Sequence, residues 1–368
     1  MSTERPTTDV LWTGWTGAQI DPDASGVWTS PEVSMHFSFD ELVASWNVVT
    51  PPGTWVEVAA RVITASGERS GWLVLARWST DPAFTSTSVG GQDDPLAVAA
   101  DDTILGRDGR RFTGFSVRLR MHGSADRAPR VSLLGAMASA DARRRTVALG
   151  PAVPAVPAVP AVPGAVVDGV PAYSQQLHRD RYPRWDGGGR SWCSAASTAM
   201  LADFWGAGPS AAEMEWVDYE TPDPQVPFTA REVYDEAYGG AGNWAFNTAY
   251  AGSRGLVAYV TRLRSFAEAA RFIEAGIPLV LAISHQEGEL TGAGYVTNGH
   301  LLVLVGFGEN GDPVVHDPAS HNIASDEEVR TTYALAELDR AWARSGRIVY
   351  VVRPPDVAPP EPPPQPNW

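Results

Sequence analysis

The chain has 368 residues, of which 44% are hydrophobic and 19% are charged, and its formal net charge is −15. This length exceeds what one hydrophobic core usually serves, so it predicts two domains. The negative charge argues against nucleic acid or an anionic membrane surface as a partner, and no apolar run is long enough for a transmembrane segment. The first residues lack the features of a signal peptide, so we expect a cytoplasmic location by default. An extracellular location stays open if the true start lies upstream or export is non-classical.

Residues 10–145 alternate between apolar and polar side chains, as β-strands do. In the segment 113–121 every second residue from Phe115 to Met121 is apolar, and the segments 55–62 and 71–78 are further predicted strands. Turn-forming residues separate these segments, and no helical period intervenes. The pattern predicts an all-β domain, most simply a β-sandwich. Its seven tryptophans favour the core, while a carbohydrate or cell-wall ligand stays open as their alternative role.

Residues 150–164 carry a Pro-Ala-Val repeat with proline at every third position. Such a repeat favours polyproline II geometry, which extends by about 3.1 Å per residue and forms a semi-rigid spacer. We therefore predict a linker here, between the β domain and a second domain at 168–353. Residues 354–368 are also rich in proline, which predicts a disordered tail.

The only cysteine of the chain, Cys193, directly precedes a segment with the composition of a buried helix. A helix N-terminus presents unpaired N–H groups and a partial positive charge, and both favour the reactive thiolate over the thiol. A single cysteine cannot form an internal disulfide. Cys193 is therefore either a reactive group or a small buried residue.

The region after the linker mixes helices with strands, which predicts an α+β domain. Capping boxes of the S/T-x-x-E type begin at Ser210, Thr229 and Ser265, and each predicts the start of a helix.

A β-hairpin is predicted further on, from a strand that begins at His300, a turn with the favoured Asn-Gly pair, and a return strand that ends at Asp317. If the loop has an even number of residues, Asp317 projects on the same side as His300, whereas His316 projects on the other side. A carboxylate beside an imidazole fixes its tautomer, as the third member of a nucleophile triad does. Upstream, Gln175 offers an amide that can donate a hydrogen bond to an oxyanion. His316, Asp317 and His321 lack recognisable zinc-ligand spacing, so no metal site is predicted.

Several short motifs of the second domain occur together in one known family. They are Val-Pro-x-x-Ser-Gln at 170–175, the Cys193 helix, and the segments 242–250, 275–278, 297–301 and 317–320. With this set, residues 168–353 resemble the C39-like cysteine peptidases, which have a papain-like fold. The resemblance implies that Cys193 is the nucleophile, His300 the base, Asp317 the orienting carboxylate and Gln175 the oxyanion donor. It also implies an actinobacterial subgroup with a tryptophan-rich β domain in front.

The chain departs from the usual motifs at two places. Cys-Ser-Ala replaces the common Cys-Gly-Pro and follows Trp192, where a small residue is usual. His316 stands where asparagine is expected before the aspartate. Neither change removes a catalytic group.

These observations favour a cysteine peptidase that hydrolyses a peptide or amide bond through an acyl-thioester on Cys193. The substrate is expected to be a peptide or a protein, and the chemistry needs neither a metal nor an organic cofactor. Two alternatives stay open. The same thioester can pass to an amine, as in an acyltransferase or transglutaminase, or the domain can be an inactive, peptidase-like binding protein.

Overall fold

The computed structural model describes residues 9–124, 126–140, 163–186, 188–218 and 220–368. The predicted linker at 150–164 lies almost entirely outside these residues, as does the end of the predicted β domain after residue 140. None of the helices in the described ranges is long and apolar enough to cross a membrane.

The N-terminal part consists of two antiparallel sheets. Its strands are β1 (Val10–Thr16), β2 (Val27–Thr29), β3 (Val33–Phe39), β4 (Glu41–Val49), β5 (Trp55–Ile63), β6 (Leu73–Trp78), β7 (Thr87–Ser88), β8 (Ala97–Ala100), β9 (Thr103–Gly106), β10 (Phe112–His122) and β11 (Arg130–Ser139). One sheet has the order β1-β11-β4-β9-β8, and the other has the order β2-β10-β5-β6-β7 with β3 also paired to β10. Alternate residues of both sheets enter one shared core, as the period-two pattern predicts. The expectation of a β-rich N-terminal domain is therefore confirmed, and four of its seven tryptophans are buried.

The C-terminal part combines one antiparallel sheet with helices on both faces. Its strands are β12 (Val257–Arg262), β13 (Leu279–His285), β14 (Thr297–Phe307), β15 (Pro313–His316), β16 (Arg330–Thr332) and β17 (Ile348–Arg353), in the order β12-β17-β13-β14-β15-β16. The α-helices in the described residues are α1 (Cys193–Phe204), α2 (Gln225–Glu232), α3 (Trp244–Ser253), α4 (Phe266–Glu274) and α5 (Leu335–Arg344). The α1 helix packs on one face of the sheet, whereas α4 and α5 pack on the other. The predicted mixture of helices and sheet is confirmed.

The two parts meet along β12, the edge strand of the C-terminal sheet. The side chain of Asn47 donates to the carbonyl of Ala258 at 2.7 Å and accepts from its N–H at 3.0 Å, while Ser45 accepts from the N–H of Val260 at 2.9 Å. These side chains of β4 pair the polar backbone groups that an edge strand otherwise leaves open. The N-terminal domain therefore packs tightly against the second domain.

The C-terminal tail completes the same edge. Asn367 donates from its side chain to the carbonyl of Arg262 at 2.7 Å, and the backbone N–H of Trp12 donates to Pro366 at 3.2 Å. Trp368 is only 7% exposed and packs its ring against Phe272. The expectation of a disordered tail at 354–368 does not hold in the structure, because composition reveals neither the open strand edge nor the apolar surface that the tail covers.

A buried ion pair also joins the domains. Arg262 at the end of β12 and Glu41 at the start of β4 form an ion pair, and their side chains are 0% and 1% exposed. Removing one member of a buried pair leaves an uncompensated charge in a medium that solvates it poorly.

We therefore expect Glu41→Gln to lower the free energy of unfolding by about 3–5 kcal/mol. The exposed pair of Arg69 and Glu32, at 2.9 Å, supplies the control, and Glu32→Gln should cost less than about 1 kcal/mol. Urea unfolding followed by tryptophan fluorescence measures both changes. Equal stability of the two variants would contradict the view that this pair anchors the interface.

Candidate active site

Cys193 is the first residue of α1, and ten of the twelve residues of this helix are buried. The helix is buried nearly all round, because it lies between the sheet and the helices α2 and α3. Cys193 itself is 8% exposed, at the wall of a cavity. The preceding Trp192 is fully buried and donates from its indole N–H to the carbonyl of Trp185 at 2.7 Å. The large residue at the position before the cysteine is thus part of the packing that holds the start of α1.

His300 lies on β14 and Asp317 directly follows the neighbouring strand β15, so that the two side chains lie side by side. The Nε2 atom of His300 is 2.8 Å from Oδ1 of Asp317, and both side chains are buried. His316 faces away from this pair, and its Nδ1 atom is 2.9 Å from the carbonyl of Pro171. The structure therefore brings together the aspartate and histidine that the sequence analysis pairs, and it separates His316 from them.

The register behind this contact differs from the expected one near the turn. Phe307 pairs with Pro313, so the loop has an odd number of residues, 308–312, where an even number was assumed. A β-bulge between Leu304 and Gly306 then shifts the pairing by one residue, so that farther along Val303 opposes His316. The bulge restores the parity that places Asp317 on the side of His300.

Asp317 accepts four hydrogen bonds although it is completely buried. Its Oδ1 accepts from His300 and from the N–H of Ala319 at 2.9 Å. Its Oδ2 accepts from the hydroxyl groups of Tyr295 and Tyr333, each at 2.7 Å. Neither tyrosine is predicted as part of the site, since nothing local in the sequence indicates that it reaches this carboxylate.

The electrostatics of the three groups favour a charged thiol–imidazole pair. Burial opposes ionisation of Cys193, but the positive charge of His300 and hydrogen bonds from His300 and the N–H groups of Leu301 and Ser194 prevail, so the thiol pKa lies below its ordinary 9.0. Burial also disfavours the charged form of His300, but the negative charges of Asp317 and Cys193 prevail and raise its pKa. Burial raises the pKa of Asp317, but the charge of His300 and its hydrogen bonds prevail and lower it. The directions of these shifts favour the thiolate and imidazolium over the neutral pair.

Gln175 lines the same cavity and is buried. Its Nε2 donates to the carbonyl of Gly189 and, at 3.1 Å, to that of Arg190. Both amide protons are therefore engaged in this structure, and Oε1 has no hydrogen-bond donor among the described residues. The side chain is next to the site, but its donor groups are not free.

The cavity around these groups measures about 600 Å³ and has walls from both domains. Besides Cys193 and His300, its lining includes Tyr295, Trp244 at the start of α3, and residues 100–103 of the N-terminal domain. No feature of the sequence predicts this last contribution, because it depends on how the domains dock. In the described residues no three His, Cys, Asp or Glu side chains are placed to hold a metal ion.

Together, the site holds a buried thiol at a helix N-terminus beside an imidazole that a carboxylate orients, an arrangement suited to acyl transfer. Residues 16–139 match the family model of the peptidase C39 N-terminal domain, and residues 167–350, half of the chain, match that of the peptidase C39-like family. The chain therefore belongs to the peptidase C39-like family.

No curated protein matches the chain. Among solved structures, the chain is similar to that of the infectious bursal disease virus Gx strain, with 11% identity, a TM-score of 0.21 and coverage of 36% of this chain and 32% of that one. It is also similar to the serine protease of Aeromonas sobria, with 9% identity, a TM-score of 0.20 and coverage of 38% and 27%. The matched part spans a third or less of either protein, and likeness at this level assigns neither fold nor activity.

The first prediction from the site concerns the pH at which Cys193 becomes reactive. Alkylation by iodoacetamide should reach half of its maximal rate below pH 9.0, because His300 stabilises the thiolate. In His300→Ala the charge of His300 is gone while burial still disfavours the thiolate. The pH of half-maximal alkylation should therefore rise. His316→Ala is the matched control and should keep the wild-type midpoint, since His316 faces Pro171. A wild-type midpoint in folded His300→Ala would refute the ion pair.

The second prediction concerns the hydroxyl groups on Asp317. Tyr333→Phe removes one hydrogen bond to a buried charge, and we expect the free energy of unfolding at pH 7 to fall by about 1.5–3 kcal/mol. Because the pKa of Asp317 is lowered in the folded protein, this stabilisation is present above the unfolded value of about 3.9 and is lost as the pH falls through the folded value. The difference in free energy of unfolding between Tyr333→Phe and the wild type should therefore become smaller at acidic pH. Tyr238→Phe, at a half-exposed ring, is the control, and a pH-independent loss in Tyr333→Phe would contradict the assigned hydrogen bond.

Proposed function

We propose that the protein is a cysteine peptidase with a papain-like catalytic domain, which hydrolyses a peptide or amide bond through an acyl-thioester on Cys193. The observation that carries the proposal is the position of His300 between two partners. Its Nε2 atom is held by Asp317 at 2.8 Å, which leaves the other ring nitrogen, Nδ1, for the thiol of Cys193. The packing of α1 against an antiparallel sheet, with the cysteine at the helix start, supports the papain-like assignment.

In the proposed reaction the thiolate of Cys193 attacks the carbonyl carbon of the substrate, and a tetrahedral oxyanion forms. The imidazolium of His300 gives its proton to the leaving nitrogen as the C–N bond breaks, and the thioester remains. Water then attacks the thioester while His300 accepts one of its protons, and the acid product leaves. The thiolate and the imidazolium are thereby restored.

The oxyanion needs hydrogen-bond donors that face the attacked carbonyl. Backbone N–H groups in the first turn of α1 are available there, since a helix leaves them unpaired. We propose Gln175 as the side-chain donor, with its Nε2 exchanging the longer hydrogen bond, to Arg190, for the oxyanion. This step asks for a small movement of one amide group and no change of fold.

Asp317 acts on the reaction through His300, so its role is positioning. Asp317→Ala should lower hydrolysis of a fluorogenic peptide pool by at least about tenfold, given that general acid–base catalysis contributes roughly 10²–10⁴-fold. His316→Ala should lower it much less, because that ring lies on the other face of the strand. Cys193→Ser should remove nearly all hydrolysis.

Thermal melts of each variant come first, and Asp317→Asn serves if the alanine variant is unfolded. Full hydrolysis by folded Cys193→Ser would end the proposal. Adding a primary amine during turnover identifies the acceptor of the acyl group. Accumulation of amide product in place of free acid would replace the peptidase proposal with acyl transfer, and trapping of no acyl group at all would favour a binding protein.

A further inference from the structure

A turn of the N-terminal domain forms part of the cavity that holds Cys193. The strands β8 and β9 make a hairpin, and its turn, Asp101–Asp102, lines the cavity together with the neighbouring Ala100 and Thr103. The β domain therefore supplies a wall of the site.

The turn is fixed to the second domain by Asp102. One carboxylate oxygen accepts from the backbone N–H of Trp244 at 2.9 Å, and the other accepts from the hydroxyl of Thr103 at 2.8 Å. Trp244 is the first residue of α3, so the carboxylate also lies at the positive end of that helix. Asp102 thereby sets the position of its neighbour Asp101.

Asp101 differs from Asp102 in being exposed and without a hydrogen bond or ion pair among the described residues. Its backbone has a left-handed φ of 52°, which aspartate and asparagine adopt more readily than most residues. Asp186 adds a further carboxylate to the lining, whereas the guanidinium of Arg190, also in the lining, lies 3.6 Å from Asp180. The open part of the cavity thus carries unneutralised negative charge.

Gln175, which also lines the cavity, has a hydrogen-bond acceptor that is unpaired within the described residues. Oε1 of Gln175 is buried and receives no hydrogen bond from any described residue, although a buried amide oxygen is normally paired. Because Nε2 of Gln175 donates to two carbonyls in this structure, the amide presents no free donor to an anionic ligand.

We infer that Asp101 makes the cleft selective for substrates with a cationic side chain, lysine or arginine, next to the scissile bond. The inference rests on the proposed function, because it takes the cavity at Cys193 to be the substrate site. Charge of one sign in a cleft concentrates ligands of the opposite sign and can raise association rates by about 10–10³-fold.

The single cysteine allows a test without a known substrate. Three methanethiosulfonate reagents that modify thiols carry a trimethylammonium group, a neutral methyl group or a sulfonate group. Stopped-flow rates at Cys193, with the site verified by mass spectrometry, give the ratio of cationic to anionic reagent after normalisation to the neutral one. We expect a ratio of at least about ten at low ionic strength, falling as salt screens the charge.

Asp101→Asn should reduce this ratio severalfold. The matched control is Asp108→Asn, because Asp108 is an exposed aspartate of the same domain with the same φ of 52° and lies outside the cavity lining. Each variant removes one charge from a protein of net charge −15, so the global field changes equally in both. Asp108→Asn should therefore keep the wild-type ratio.

A ratio near one in the wild type, or equal ratios in the two variants, would overturn the inference. The neutral reagent separates this result from failure of the proposed function. If it modifies folded His300→Ala as fast as wild type, the activated thiol is refuted whatever the charge ratio is. If it fails to reach Cys193 at all, the cavity is not a substrate site and both proposals fall.

Discussion

The site depends on one buried carboxylate. Taking the charge of Asp317 out of water costs several kcal/mol, and the folded chain offsets that cost only if the carboxylate oxygens are satisfied. Four hydrogen bonds from three separate segments of the chain satisfy them, and the donors are His300, Ala319, Tyr295 and Tyr333. Because Oδ1 holds Nε2 of His300, the ring cannot rotate without leaving the charge underpaired. The orientation of the ring, with Nδ1 toward Cys193, is therefore fixed by the stability of the fold itself.

Docking of the β domain also determines part of the geometry of this site. The α3 helix lies between β4 and the C-terminal sheet, and a Cβ atom at Gly252 would come within 2.3 Å of Asn47, so only glycine allows this approach. The Asn47 side chain that limits the helix is also the one that pairs the edge of β12. At the other end of α3, Trp244 binds Asp102 beside the cavity. Pairing one strand edge therefore also determines where the wall of the cavity lies.

The sequence predicted the elements whose causes are local. Period-two alternation was sufficient for the long strands, and Ser265 caps α4 as its capping box predicts. The hairpin is predicted with an even loop. The structure has an odd loop and a bulge, and His300 still lies beside Asp317. A glycine inside a strand pattern often marks a bulge or a close backbone approach. Gly306 marks both, because a Cβ there would lie 2.4 Å from the carbonyl of Ala165.

The failures share one cause, which is that the deciding partner is distant in the sequence. Thr229 has a capping-box spacing but lies inside α2, because that helix already begins at Gln225. The tail has the composition of a disordered segment, yet it is ordered. Asn367 donates to the carbonyl of Arg262, and Trp368 packs against the ring of Phe272. In each case local propensity was outweighed by an unpaired polar group or an uncovered apolar surface, and a single sequence does not reveal which remote segment will satisfy it.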